Sequence, residues 1–380
     1  MMHFRGTPSR RTRVALWLTI SGLCAIVASL PLLRSSDERV MRHAPAVLAS
    51  VVAGFGLYVD EGVCADCHPA QAESYPQTGH ARTLRTAAEW QLAAALAGRT
   101  FPDPERGTKY HYHFAPQAGL SVTIPERLGK NSFPLVYAFG SGTRRMTFVT
   151  PIPSRSGETV AIEHRVSVRS GQDDLVLELT PGQQGLAPQQ DVEQFGRLAD
   201  AAALVRCLEC HATRGEIRGP GTPGLTPNVG CQKCHWPGRE HVMAMRIAQA
   251  RGVALEPRAK PTGLEQIRAC CRCHLPSGAD DELKSMPGHI RNVRVQAAEL
   301  LQSRCFTQSE DRLGCATCHD PHAPVAGDPA LYVERCLACH TAPDSVSCPV
   351  SPTMDCIRCH MPPVTAENGL SWHDHRIRKK

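Results

Sequence analysis

The sequence predicts a mostly α chain with extensive loop and one small antiparallel β insert. It also predicts an interior filled largely by something other than side chains. Three observations carry this. Thirty Gly and thirty Pro in 380 residues interrupt regular structure often, so helices and strands are expected to be short. Aromatic residues are only 5% of the chain, although such side chains usually dominate a core. Eighteen Cys and eighteen His are present, in a chain far longer than a disulfide scaffold of under about 80 residues.

Fourteen of the cysteines fall into seven copies of C-x-x-C-H. These are Cys64, Cys67 and His68; Cys207, Cys210 and His211; Cys231, Cys234 and His235; Cys270, Cys273 and His274; Cys315, Cys318 and His319; Cys336, Cys339 and His340; and Cys356, Cys359 and His360. At the observed Cys and His frequencies, roughly 0.04 copies of this haem c attachment pattern are expected by chance. The spacing has a chemical reason. Each thiol adds to one haem vinyl group, and the following His supplies the proximal nitrogen to iron. Zinc knuckles do not need a His after every pair, and thioredoxin-like C-x-x-C occurs singly beside a βαβ pattern. Seven covalent haem c groups are therefore expected, with stacked haems as the missing core.

The elements follow in chain order. Residues 1–43 hold four arginines, Arg5, Arg10, Arg11 and Arg13, ahead of an uncharged apolar run at 14–33. The run is long enough to span a bilayer, and the basic flank predicts a cytoplasmic start with the rest exported. This reads as a signal or membrane anchor, with an uncleaved anchor favoured because no clean A-x-A site follows. Cys24 lies inside the run. Residues 44–100 form a lead-in and first haem module, with a second apolar run at 44–59 and a helix expected over 87–96. Residues 101–185 hold short alternating runs at 110–114, 120–124, 145–150, 160–168 and 175–179, separated by Gly, Pro and Ser clusters. They predict a β insert of five or six strands, read as structural support. Residues 186–380 carry six motifs, all between Cys207 and His360 at about one per 26 residues, so the haems there must pack on one another. A helix is expected over 293–303, and 219–224 reads as a loop.

Each iron keeps a sixth position. Nine exported histidines remain for it: His80, His111, His113, His164, His241, His289, His322, His373 and His375. His111 and His113 share one strand face and read as exposed, while His164 stays open between ligand and core. His80, His241, His289, His322 and His375 are the candidate distal ligands. His322 lies three residues after His319, too close to reach the far face of the same iron, so it is expected to serve a neighbouring haem. Met361 directly follows a proximal His and reads as packing. Cys270 rather than Cys271 is the attachment residue, and Cys305 with Cys348 is a candidate disulfide, free thiols being the alternative.

At these residues the chain resembles the multihaem cytochrome c family that includes the tetrahaem electron carrier of nitrifying bacteria. Cys231 to His241, Cys315 to His322, Cys356 to Met361 and the terminal His373 to Arg378 carry the resemblance, with Cys64 to His80 matching a first haem module. It covers 62–80 and 205–378. It implies multihaem cytochrome c packing in stacked pairs and supports His80, His241, His322 and His375 as distal ligands. Trp236 departs from the pattern, since the family usually has Gly there.

Formal net charge is +6, but seven haems add roughly −14 through their propionates and roughly +7 through ferric cores, leaving the oxidised holoprotein near about −1, so no nucleic-acid partner is expected. The basic residues Arg376, Arg378, Lys379 and Lys380 read as a solvated tail or propionate partners. The expected function is electron transfer along mostly bis-His haems, in the periplasm or on the outer face of the cytoplasmic membrane. Partners would be periplasmic or membrane redox proteins, with the membrane reached through the N-terminal segment. The alternative is an oxidoreductase acting on a small nitrogen or sulfur compound at one open-site haem. No motif carries the Lys in place of proximal His associated with multihaem nitrite reductases.

Overall fold

A computed structural model describes residues 56–142, 145–153, 159–170, 175–215, 225–256, 259–274, 296–341, 348–351, 353–365 and 371–378. The N-terminal apolar run, the run at 44–55, Cys24, His289 and the 219–224 loop lie outside them. Among the described residues no helix is long and apolar enough to cross a membrane.

Among the described residues the strands build two larger antiparallel sheets and two short ladders, Ala212–Arg214 with Thr226–Pro227 and Pro363–Thr365 with Ser371–His373. Strands β1 (Leu84–Thr86), β6 (Tyr137–Phe139), β7 (Arg145–Pro153), β8 (Thr159–His164) and β11 (Gly196–Ala199) run side by side, and β9 (Val166–Ser170) joins β7 and carries β10 (Leu175–Leu179). The second sheet has the order β2 (Thr100–Asp103), β3 (Thr108–Ala115), β4 (Gly119–Thr123), β5 (Ser132–Leu135). Alternation sets the inward faces: Tyr110 and Tyr112 on β3, Leu120 and Val122 on β4, Met146 and Phe148 on β7 are buried. These side chains, with Ile162, Val166 and Val168, form one shared core. Inside it Arg165 and Asp103 form a fully buried ion pair, and Arg165 also reaches Glu105 at 2.7 Å. The sheets take in strands on both sides of the alternating runs: β1 and β11 were not anticipated.

The helix expected over residues 87–96 does not form. Ala87, Trp90, Ala93 and Leu96 are all buried at a strict spacing of three, and only a 3-10 turn at Ala94–Leu96 is regular. Three residues per turn is the 3-10 period. The chain is held in this tighter path because the Ala87 amide is bound to the Val136 carbonyl at 2.8 Å, continuing the β1–β6 ladder.

The helices are short. They are α1 (Gly62–Ala65), α2 (Pro69–Ser74), α3 (Pro125–Leu128), α4 (Ala201–His211), α5 (Cys231–His235), α6 (Arg239–Arg251), α7 (Gly263–His274), α8 (Gln296–Leu301), α9 (Arg304–Thr307), α10 (Cys315–Cys318), α11 (Pro329–His340) and α12 (Cys356–His360). Of the helix expected over 293–303, Gln296–Leu301 is helical. Asp200 caps α4 through the Ala203 amide at 2.7 Å, and Asp328 with Pro329 opens α11. Leu204 and Leu208 on α4 pack against Leu84, Tyr137 and Phe139, which fixes the second motif on the outer face of the larger sheet.

The two halves bury side chains unequally. Of the largest fully buried side chains, only Ile267 lies outside residues 84–165. Around the motifs the described core is a small cluster of Ile267, Cys271, Ala297, Ala298 and Leu300.

Candidate haem-binding site

Every motif is carried by a helical turn or a helix end. In α4, α5, α7, α11 and α12 the helix closes on the motif histidine, and in α10 it ends at the second cysteine. A helix places residues i, i+3 and i+4 on one face. In the five motifs that stay helical through the histidine, both thiols and the imidazole are thereby presented together, as double thioether attachment with a proximal ligand would require. In the first motif the His68 amide still bonds the Cys64 carbonyl at 2.9 Å.

The candidate distal histidines come to these motifs from distant parts of the chain. His241, in the first turn of α6, faces His68 with ring centres 6.4 Å apart and planes at 24°. His322 faces His235 at 5.9 Å and 15°. His375 faces His319 at 6.3 Å and 27°. His80 faces His274 at 5.9 Å, with planes crossed at 82°. A metal–imidazole nitrogen bond is about 2.0 Å and the ring centre lies about 1.1 Å beyond it, so two imidazoles on one metal have centres about 6.2 Å apart. All four pairs match that separation. Interplanar angle is free, because both rings turn about the same axis. Four of the five candidate distal histidines therefore lie at the separation that two imidazoles on one metal would have, each opposite the histidine of a different motif.

Hydrogen bonds hold these rings with Nε2 directed away from the protein partner. His375 Nδ1 is bound to the His373 carbonyl at 2.7 Å, and its backbone N–H donates to Glu299 at 3.0 Å. His322 Nδ1 lies 3.3 Å from Asp320, and its carbonyl accepts from Ser74 at 2.7 Å. His211 Nδ1 is bound to the Thr83 carbonyl at 2.9 Å, and His360 Nδ1 to the Arg378 carbonyl at 2.7 Å. A Nδ1–H bond of this kind fixes the tautomer in which Nε2 carries no proton, the form that ligates metal. Burial lowers the pKa of His80, His319 and His375, which favours the neutral, ligating form.

The other histidines are placed elsewhere. His164 is fully buried in the β core, bound to Tyr112 at 2.9 Å and to the Phe195 carbonyl at 2.7 Å, so both ring nitrogens are engaged. Burial holds its pKa down at about 4. His111 and His113 bond Thr100 and Thr123 across the strand ladder. His373 is bound to the Met361 carbonyl at 2.7 Å, which ties the tail to the seventh motif. Cys305 and Cys348 are free thiols, not a disulfide. Cys305 lies within electrostatic reach of Cys318 and Cys339, whereas Cys348 accepts from Ser351.

Trp236 adopts φ 64° and ψ 169°, a conformation that strongly favours Gly. The turn after the third motif thus has the shape for which Gly is the usual residue. The indole is held under the Arg272 guanidinium at 5.3 Å. Among the described residues no group of three or more His, Cys, Asp or Glu converges as a zinc centre would need. Paired axial imidazoles suit iron in a porphyrin, which brings its own four nitrogens. Exposed apolar side chains such as Met243, Ile247, Val325, Val350 and Met354 lie in the same half and suit its faces.

Residues 63–109 match the family described as Cytochrome c554 and c-prime. The match supports a multihaem c-type cytochrome. It takes in the first motif and His80, and ends in the β region. The solved structure "Crystal Structure of Outer Cell Wall Cytochrome OcwA" is similar with a TM-score of 0.48 and 16% identity, over 85% of this chain and 80% of that chain. No protein of curated function matches the chain.

Proposed function

We propose that the protein is an exported c-type cytochrome holding seven covalent haems, at least four of them bis-His, and that it carries electrons between redox proteins. Its core packs haem against haem. The observation that carries this is the set of four histidine pairs at 5.9–6.4 Å, each joining a motif histidine to one supplied from elsewhere. Haem iron supplies a one-electron couple, and two imidazoles keep it low in potential and closed to small ligands. The protein's part is to attach, orient and insulate. Cysteine pairs fix each porphyrin edge, Nδ1 contacts orient the imidazoles of His211, His322, His360 and His375, and the cross-chain ligands hold the motifs together.

The N-terminal apolar run is the proposed signal or anchor, with the haem region on the outer face of the cytoplasmic membrane. The test is electron paramagnetic resonance of the oxidised, exported protein, with its haem additions counted by mass. Seven additions and predominantly low-spin iron are expected. A substantial high-spin signal that moves on adding nitrite or hydroxylamine overturns the carrier reading in favour of an oxidoreductase.

A further inference from the structure

Motif thiols report which attachment sites are neighbours, because each sits at the edge of the group it holds. Cys64 of the first motif lies beside Cys231 of the third, and Gln232 of the third motif bonds the Val59 amide at 3.0 Å and its carbonyl at 2.7 Å just ahead of the first. Cys210 of the second motif meets Cys273 of the fourth, with Cys210 Sγ 4.0 Å from the Cys273 carbonyl and Cys273 Sγ 3.8 Å from the Glu209 carbonyl. The other cysteine of the fourth motif, Cys270, meets Cys315 of the fifth. Cys234 of the third lies within electrostatic reach of both Cys270 and Cys273. Beyond the fifth motif, Cys318 reaches Cys339 of the sixth, and Cys336 reaches Cys356 of the seventh. Helix contacts agree: α7 touches α4 and α10, and α11 touches α10 and α12.

The second, third and fourth motifs also converge on one cation. Lys233, between the cysteines of the third motif, is in electrostatic reach of Glu209, Cys210 and Cys273. Arg272 of the fourth motif donates to the Lys233 carbonyl at 3.1 Å.

We propose that the fourth motif is a junction: Cys270 and Cys273 set its haem beside those of the second, third and fifth motifs, so the sites form three arms rather than a line in sequence order. One arm runs through the third motif to the first. A second is the second motif, ending against the larger β sheet. The third runs through the fifth and sixth to the seventh at the C-terminal tail. This rests on the motifs being haem sites. Exchange between neighbours moves one electron, one iron being oxidised as the next is reduced, with no proton or bond change.

The test marks the fourth haem. In the full-length exported protein, His80→Met gives that haem a His/Met ligand set whose absorption is read separately in a redox titration. Adding Cys207→Ala and Cys210→Ala removes the second haem, which carries net negative charge, and raises the marked midpoint. Removing the seventh haem with Cys356→Ala and Cys359→Ala leaves it unmoved. Lys233→Gln keeps every thioether link, so it serves where the deletion fails to fold, and it lowers the marked midpoint. A marked haem that ignores both the loss of the second haem and Lys233→Gln, or that responds equally to loss of the seventh, overturns the junction. Mass separates the two levels: if Cys207→Ala with Cys210→Ala removes no haem, the haem reading itself fails.

Discussion

Replacing His241 by Ala is the sharpest test of the ligand assignment. His241 lies in the first turn of α6 with its side chain exposed, and Ala is the best helix former, so the fold should change by no more than about 0.5 kcal/mol. Its one described ring partner is His68, at 6.4 Å against the roughly 6.2 Å needed for two imidazoles on one metal. The substitution should therefore convert one haem per chain, and only one, from six-coordinate low spin to high spin. The four pairs use four different motif histidines, so His80→Ala, His322→Ala and His375→Ala should each add one further high-spin equivalent, additively in combination. Spin quantification of the oxidised protein reads this directly, and added imidazole should restore the low-spin signal. The reasoning is refuted if His241→Ala leaves the spin populations unchanged, or if it converts two haems at once.

Other expectations concern the frame that holds the site. His164 is held at about pKa 4 by burial against an ordinary 6.5, so the unfolded chain takes up its proton first as pH falls. Its contribution is intact above about pH 6.5 and lost towards pH 4, at most roughly 3 kcal/mol, which amide exchange of β8 at pH 7 and 4.5 should show and His164→Gln should abolish. Arg165→Met leaves Asp103 buried without its cation and should destabilise the β region by about 3–5 kcal/mol in urea unfolding. Trp236→Gly should stabilise the turn after the third motif by about 1 kcal/mol in thermal unfolding, since relief of an unfavourable conformation outweighs one exposed cation–π contact. An unchanged or lower melting temperature would contradict that balance.

The attachment residues were legible because C-x-x-C-H is local: the chemistry needs a short spacing, and short spacing survives in sequence. His80, His241, His322 and His375 stand out in the sequence as candidate ligands, but the motif histidine each one faces does not. The partner of His80 is His274, nearly two hundred residues away, and nothing local encodes such a crossing. Tether length alone keeps His322 from the far side of its own motif histidine, and its ring faces His235 instead. In the β region the longer alternating strands stood out, whereas β1, β5, β6 and β11 are three or four residues each, too short for a period-two signal. Residues 87–96 misled through composition: alanine-rich sequence suggests α-helix, but burial at every third position belongs to a tighter winding. His164 was undecided because a buried histidine and a ligand look alike until both ring nitrogens are seen to be taken.

The two halves of the molecule are held by different physics, and the distal ligands show how the second half holds at all. The β region has an apolar core of its own. The motif half has little, yet each histidine pair closes a long stretch of chain: 68 to 241, 80 to 274, 235 to 322 and 319 to 375. Loop-closure entropy grows only logarithmically with length, so bridging distant segments costs little more than bridging near ones. The loops also overlap. The loop from 68 to 241 and the loop from 80 to 274 share most of their residues, and the loop from 235 to 322 begins inside both. Losing His241 or His80 therefore leaves the segments it joined still tied by the other of these two pairs. With haem bound as proposed, this arrangement would allow a single histidine to be removed to read one haem, while the haems together stand in for the side-chain core that the sequence lacks.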